Sequence, residues 1–278
     1  MNVLIYKQIL MKNLKKYLML LLIIAPLSGL LISCNDEDDT TQGTSKVTVR
    51  MTDAPGDYDE VNVEVLDVMI KNNSDTSDNG WVSIGNISPG IYNLLDLTGG
   101  ITVLLADNEV PSGLLGQIRL VLGDENTVVK DGVTYPLNTP SAQQSGLKLQ
   151  INQTLQAGAT YNFLLDFDVE HSVVVEAGGS GNYNLHPVIR VTTEATSGAI
   201  KGTILPITVQ TLASVEVNGT LVSAYTNEQG VFQLNGIPSG TYTVTLTPDI
   251  ASGLTVLVVE NVVVVNGEIT NMGSLTLP

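Results

Sequence analysis

Two stretches of the chain hold residue types that could do chemistry. In "MTDAPGDYDEVNVEV", Met51 to Val65, Asp53, Asp57, Asp59 and Glu60 fall within eight residues. Carboxylates spaced this way can share a hard cation such as calcium. The stretch lacks the regular Asp/Asn loop and the distant bidentate glutamate of an EF-hand, however. Pro55 and Gly56 at its centre suit a tight turn, which Asp53 would cap through its side chain. The turn is the favoured reading, and a cation held by Asp53, Asp57 and Asp59 is the other. In "LLDFDVEHS", Leu164 to Ser172, the residues Asp166, Asp168, His171 and Ser172 are those of a hydrolytic triad. They follow one another along a strand and its turn, with Asp166, Asp168 and Glu170 on one face and Leu165 and Phe167 on the other. No nucleophile elbow of the G-x-S-x-G type occurs. His171 and His186 are the only histidines, which excludes a histidine-rich metal centre. Trp81, the single tryptophan, alternates with Ser83, while Val82 and Ile84 take the opposite face. Its ring is either a platform for a sugar or a cap on the hydrophobic edge beneath a polar hairpin.

The elements that must position these residues are strands. Val47, Val49 and Met51 point one way and Thr48, Arg50 and Thr52 the other; Val61, Val63 and Val65 repeat the pattern. "KNNSDTSDNG" is a polar turn before the return strand "WVSIG". Further strands are "GQIRLVLG", "NTVVKDG" with "VTYPL", "LKLQINQTL", "TYNFLLDFDV", "HSVVVEA" and "NLHPVIRVTTEA". "ISPGIYNLLDLTGG" has room for a short helical turn, and "ITVLLADNEVPSG" fits helix or strand. Small residues at Glu194–Gly202 mark a seam. Beyond it "TYTVTLT" sets Tyr242, Val244 and Leu246 on one face, "TNEQG" and "GIPSG" read as hairpin turns, and "VVVVNGEIT" reads as a buried strand followed by an Asn-Gly turn. The fold class is all-β, two tandem β-sandwiches.

The ends and the charge bound the setting. Lys12, Lys15 and Lys16 precede an apolar run of 16 residues, Tyr17 to Ile32, too short for a membrane span of roughly 20. With "LISC" after it, this reads as a secretory signal, which begins at Met1 or Met11. Cys34 is the only cysteine, so the exported chain has no disulfide, no cysteine-type zinc site and no thiol catalysis. "NDEDDTTQGTSK" follows as a polar tether without apolar periodicity. All 28 acidic residues but only eight of the 12 basic ones lie after Cys34, leaving that part at a net charge of −20. Such a chain, with no basic cluster, does not bind nucleic acid electrostatically.

Several of these stretches resemble known families. "LISC" resembles the bacterial lipobox, which implies lipid on Cys34 and a membrane partner. The acidic residues after it resemble the signal that sends Bacteroidota lipoproteins to the outside of the outer membrane. "DTT" resembles the O-glycosylation motif of the same bacteria, implying a sugar on Thr40. "MTDAPGDYDEVNVEV", "VPSGLLGQIRL", "VKDGVTYPL", "TPSAQQSGLKL", "LLDFDVEHSVV" and "YNLHPVIRV" together resemble the DUF4382 family, with His186 where lysine is expected. The resemblance implies a β-sandwich on an exported, lipid-anchored protein. "TNEQGVFQLNGIPSGTYTVTL" resembles the carboxypeptidase regulatory-like domain, a prealbumin-like β-sandwich without catalytic residues. Asn227 stands there in place of the usual aspartate.

The expected organisation is a lipoprotein signal peptide (1–33), an acidic tether (34–45), a DUF4382-like sandwich (46–195) and a carboxypeptidase regulatory-like sandwich (196–278). The expected function is non-catalytic, without cofactor: binding a surface glycan or protein, adhesion, or a structural role at the cell exterior. An envelope hydrolase with a β-sandwich accessory is the alternative.

Overall fold

The computed structural model describes residues 43–54, 56–139, 146–176 and 182–278; the signal segment, Cys34 and Thr40 lie outside them. The first thirteen strands are β1 (Thr44–Ala54), β2 (Glu60–Lys71), β3 (Val82–Ser83), β4 (Gly90–Asn93), β5 (Val103–Pro111), β6 (Gly113–Leu122), β7 (Thr127–Lys130), β8 (Val133–Asn138), β9 (Leu147–Leu155), β10 (Thr160–Asp168), β11 (Val173–Val175), β12 (Tyr183–Leu185) and β13 (Ile189–Thr193). A single-turn helix, α1 (Val169–Ser172), separates β10 from β11, and Leu94–Leu97 form a 3-10 turn. One sheet runs β13-β10-β1-β5. The facing sheet runs β11-β12-β8-β7-β2-β6-β9, with β3 and β4 also on β2.

The core of this part follows from strand alternation. Val49 and Met51 of β1 stand level with Phe163 and Leu165 of β10, its parallel neighbour, and these four are buried together with Val47 and Phe167. They pack with Val61, Val63 and Val65 of β2 and Ile118, Leu120 and Leu122 of β6. A bulge between Val65 and Asp67 leaves Leu66 exposed and moves the inward face on to Val68.

Seven strands complete the described chain: β14 (Gly198–Leu205), β15 (Thr211–Val217), β16 (Thr220–Tyr225), β17 (Val231–Ile237), β18 (Gly240–Pro248), β19 (Leu257–Val264) and β20 (Ile269–Thr276). They form the sheets β17-β14-β20 and β16-β15-β18-β19 around a core of their own, which includes Ile200, Val215, Phe232, Val244 and Leu246. Among the described residues no helix is long and apolar enough to cross a membrane.

Some local expectations are corrected. "TNEQG" and "GIPSG" do not close hairpins, because β16 and β17, and β17 and β18, lie in different sheets. Two packed layers must be joined by crossings, and these turns make them. Asn218-Gly219 closes the β15–β16 hairpin instead, both residues having positive φ as a type I′ turn requires. "VVVV" is not a buried strand: β19 is an edge strand, with Val262 and Val264 inside and Val263 exposed. "ITVLLADNEVPSG" supplies β5, antiparallel to β1. Asp57 and Asp59 lie in a bend, and the next strand starts at Glu60.

Candidate functional site

The acidic stretch is drawn apart by its neighbours. Asp53 is buried at the end of β1, level with Phe167; the bend it was expected to cap includes Pro55, outside the described residues. Lys130 at the end of β7 donates to the Asp57 carboxylate at 2.8 Å and to its backbone oxygen at 2.6 Å, and sits 5.6 Å from the centre of the Tyr58 ring. Asp57 holds the Lys130 ammonium above its ordinary pKa, while burial pushes the Tyr58 hydroxyl up. Asp59 accepts the backbone N–H of Gly132 at 2.8 Å. Both carboxylates thus fasten the bend to the β7–β8 hairpin. Among the described residues no three His, Cys, Asp or Glu side chains are grouped to hold a metal ion.

Because the Asp57–Lys130 pair lies in water, Asp57→Asn is expected to cost no more than about 1 kcal/mol. Melting in millimolar calcium and in EDTA should give the same midpoint. A calcium-dependent rise of many degrees, abolished by Asp57→Asn, would instead identify a cation site.

The Asp–His–Ser stretch also diverges. β10 ends at Asp168, whose Oδ1 accepts the His171 backbone N–H at 3.0 Å and so caps α1. That cap turns Glu170 out of the strand, so it does not share a strand face with Asp166 and Asp168. His171 Nδ1 is 2.9 Å from both Asp168 carboxylate oxygens, which raises its pKa. Asp166 points instead to Arg190, at 2.5 Å. Ser172 is wholly buried, and its Oγ accepts the Val188 N–H at 2.9 Å. An aspartate–histidine pair forms at the surface, and the serine is turned away into the fold.

Trp81 belongs to a polar hub on the β2–β3 hairpin. The Arg119 guanidinium lies over its ring, 4.1 Å from the centroid, and the Lys71 ammonium is at 5.7 Å. Arg119 and Lys148 both reach Asp78, at 2.8 and 2.7 Å. The ring is therefore packed under cations on at least one face rather than standing open as a platform.

The open spaces lie where the two pairs of sheets meet. A cavity of about 650 Å³ is walled by the bend residues Tyr58 and Asp59, by Asp96, and by Gln210, Asn227 and Glu228 from the far side. A second, of about 400 Å³, lies between Arg50, Asn162 and Glu194 on one side and Gln233, Asn235 and Glu268 on the other. Nearby, Glu170 of α1 and Tyr225 of β16 line one small space, and burial first and then the Glu170 charge push the Tyr225 hydroxyl up. Sequence reasoning missed these residues. Arg50 and Gln233 read as ordinary outward positions of strands, and nothing in their neighbourhood marks them.

What the fold and this polar junction define is an all-β protein of layered sheets. The family described as Domain of unknown function (DUF4382) matches residues 44–187, just over half of the chain, and the chain belongs to that family. No curated protein matches it. Solved structures with some likeness include the Bacillus anthracis TIE protein, at 13% identity over 85% of this chain and 34% of that one, with a TM-score of 0.22. BcpA, the major pilin subunit of Bacillus cereus, is 12% identical over 84% of this chain and 70% of that one, with a TM-score of 0.24. The shaft pilin SpaA from Lactobacillus rhamnosus GG is 11% identical over 84% of this chain and 97% of that one, at 0.20. Scores this low carry no argument about fold or function.

Proposed function

We propose that this protein is a non-catalytic binding protein of the cell envelope, anchored in the outer membrane by lipid on Cys34 and facing the exterior. The observation that carries the reading is the order of the first 34 residues: lysines, a short apolar run, then "LISC". An acidic tether, glycosylated at Thr40, holds the folded part away from the membrane. The tail from residue 196 is a carboxypeptidase regulatory-like module that folds around its own core. Its ligand is a surface molecule, and the polar junction between the sheet pairs offers the space to hold it. A hydrolase would need a nucleophile beside His171, and Ser172 is committed to Val188. Stable anchoring requires more than one acyl chain, as bacterial lipoproteins carry. Cys34→Ala should therefore abolish detergent-phase partitioning of the chain once its signal is cut, and release it. Undiminished partitioning of that variant would overturn the anchor.

A further inference from the structure

The basic side chains of the described residues are almost all spoken for. Lys46, Lys71, Arg119, Lys130, Lys148 and Arg190 each have an aspartate within 4 Å. Arg50 and Lys201 have no such partner, and of these two Arg50 lines the 400 Å³ cavity in a strongly acidic chain. The same cavity holds Glu194, which accepts Asn162 Nδ2 at 2.9 Å, and the exposed Glu268 from the opposite wall. A positive and a negative group thus line one open space without pairing. The amides of Asn162, Gln233 and Asn235 also line it; Gln233 Nε2 donates to Asn235 Oδ1 at 2.7 Å, which leaves the Gln233 oxygen and the Asn235 nitrogen to accept and donate further hydrogen bonds. Gly100 keeps that wall open, since a Cβ there would lie 2.1 Å from Gln233 Oε1 and its φ is +92°.

We propose that this cavity binds a small zwitterionic peptide, with its carboxylate on Arg50 and its ammonium on Glu268. Arginine offers a carboxylate two parallel N–H groups. The amides match the peptide group, and the volume is in the range of small-molecule sites. The net charge of −20 on the part after Cys34 repels a simple anion, but a zwitterion carries no net charge to be repelled. This assignment rests on the reading of the protein as a binding protein, and names the ligand class for its junction.

The test uses the full chain in detergent and saturation-transfer NMR with dialanine, in both L,L and D,D forms. At least one form should bind with a millimolar or tighter Kd. N-acetyl-dialanine, which lacks the ammonium, and dialanine amide, which lacks the carboxylate, should each bind about tenfold more weakly. Arg50→Gln should weaken dialanine about tenfold without further weakening the amide, and Glu268→Gln should do the same for the N-acetyl form. Arg50 has no ion pair to lose, so an unchanged melting midpoint is expected of its variant. No binding by either form, equal binding of the blocked peptides, or unchanged affinity in Arg50→Gln would overturn the proposal. None of those results touches the anchor, which Cys34→Ala fractionation tests separately.

Discussion

Arg190→Met is expected to destabilise the fold by about 3 kcal/mol at neutral pH, the lower end of what removing one partner of a buried ion pair costs. Asp166 in β10 and Arg190 in β13 stand directly opposite each other on antiparallel strands, with guanidinium and carboxylate 2.5 Å apart. The aspartate side chain is only 13% exposed and the arginine 32%, so water relieves the arginine more than the carboxylate. Burial already pushes the Asp166 carboxyl up, and Arg190 holds it down. Without Arg190 the desolvation is unopposed and the carboxyl takes up a proton more readily. A carboxyl whose folded pKa exceeds its unfolded value stabilises the fold at low pH and loses that contribution as pH rises through the folded pKa. The variant should therefore lag furthest behind the wild type near pH 7 and recover towards pH 5. Adding Asp166→Asn to it should remove that difference in pH dependence from the wild type, because no titrating group is then left at this pair. Urea unfolding at the two pH values measures this. A deficit that stays the same from pH 7 to pH 5 would show that Asp166 is not the group responsible.

The sheets were legible where one face of a strand is buried. "LKLQINQTL" coincides with β9, and Val47, Val49 and Met51 or Val61, Val63 and Val65 announce their inward faces by period alone. Continuous apolar runs carry less information. "VVVV" could not be told from a two-sided core strand, and its place at an edge, with Asn261 at positive φ, depends on which strands flank it. Glu170 was misplaced because the capping by Asp168 is a side-chain event that alternation ignores. The turns of the tail were recognised by composition, but whether a turn closes a hairpin or crosses between sheets is a property of the layers. The acidic stretch was legible as a bend and not as a fastening, since Lys130 and Gly132 come to it from a distant hairpin. The junction was illegible for the same reason: its charges are single residues on well-separated strands.

The hub beneath Trp81 illustrates how a charge can be hidden from a sequence reading, and it sets the other large effect. Lys71 ends β2 with its side chain wholly buried. Its ammonium meets the Asp75 carboxylate at 2.5 Å, the Ser77 backbone oxygen at 2.8 Å and the Ser77 hydroxyl at 3.2 Å. Gln117, also buried, donates to the backbone oxygens of Asn73 and Asp75 at 3.1 and 2.8 Å. Gly116 lets the loop lie this close, as a Cβ there would come 2.0 Å from the Asn73 oxygen. The loop is wound around an ammonium ion supplied by the chain itself.

Lys71→Met should cost about 2 kcal/mol, the loss of charge-assisted hydrogen bonds partly offset by a side chain of similar shape. Asp75→Ala should lower the melting temperature further than Lys71→Met does. It leaves a buried cation without its counter-charge, whereas a stranded Asp75 can turn to water. Hydrogen bonds from Lys71, and then from Ser77, hold the Asp75 carboxyl at about 2, below its ordinary 3.8. A depressed carboxyl stabilises the fold above its unfolded pKa and loses that contribution as pH falls through the folded value. The wild type should therefore shed part of its stability between about pH 4 and pH 2, and Lys71→Met should shed less. Trp81 is the single tryptophan and lies beside this ammonium, so its emission reports the hub alone. Its acid transition should weaken or vanish in Lys71→Met. The same transition, at the same pH and amplitude in both proteins, would mean that Asp75 does not depend on Lys71 and that the loop is held by its backbone contacts.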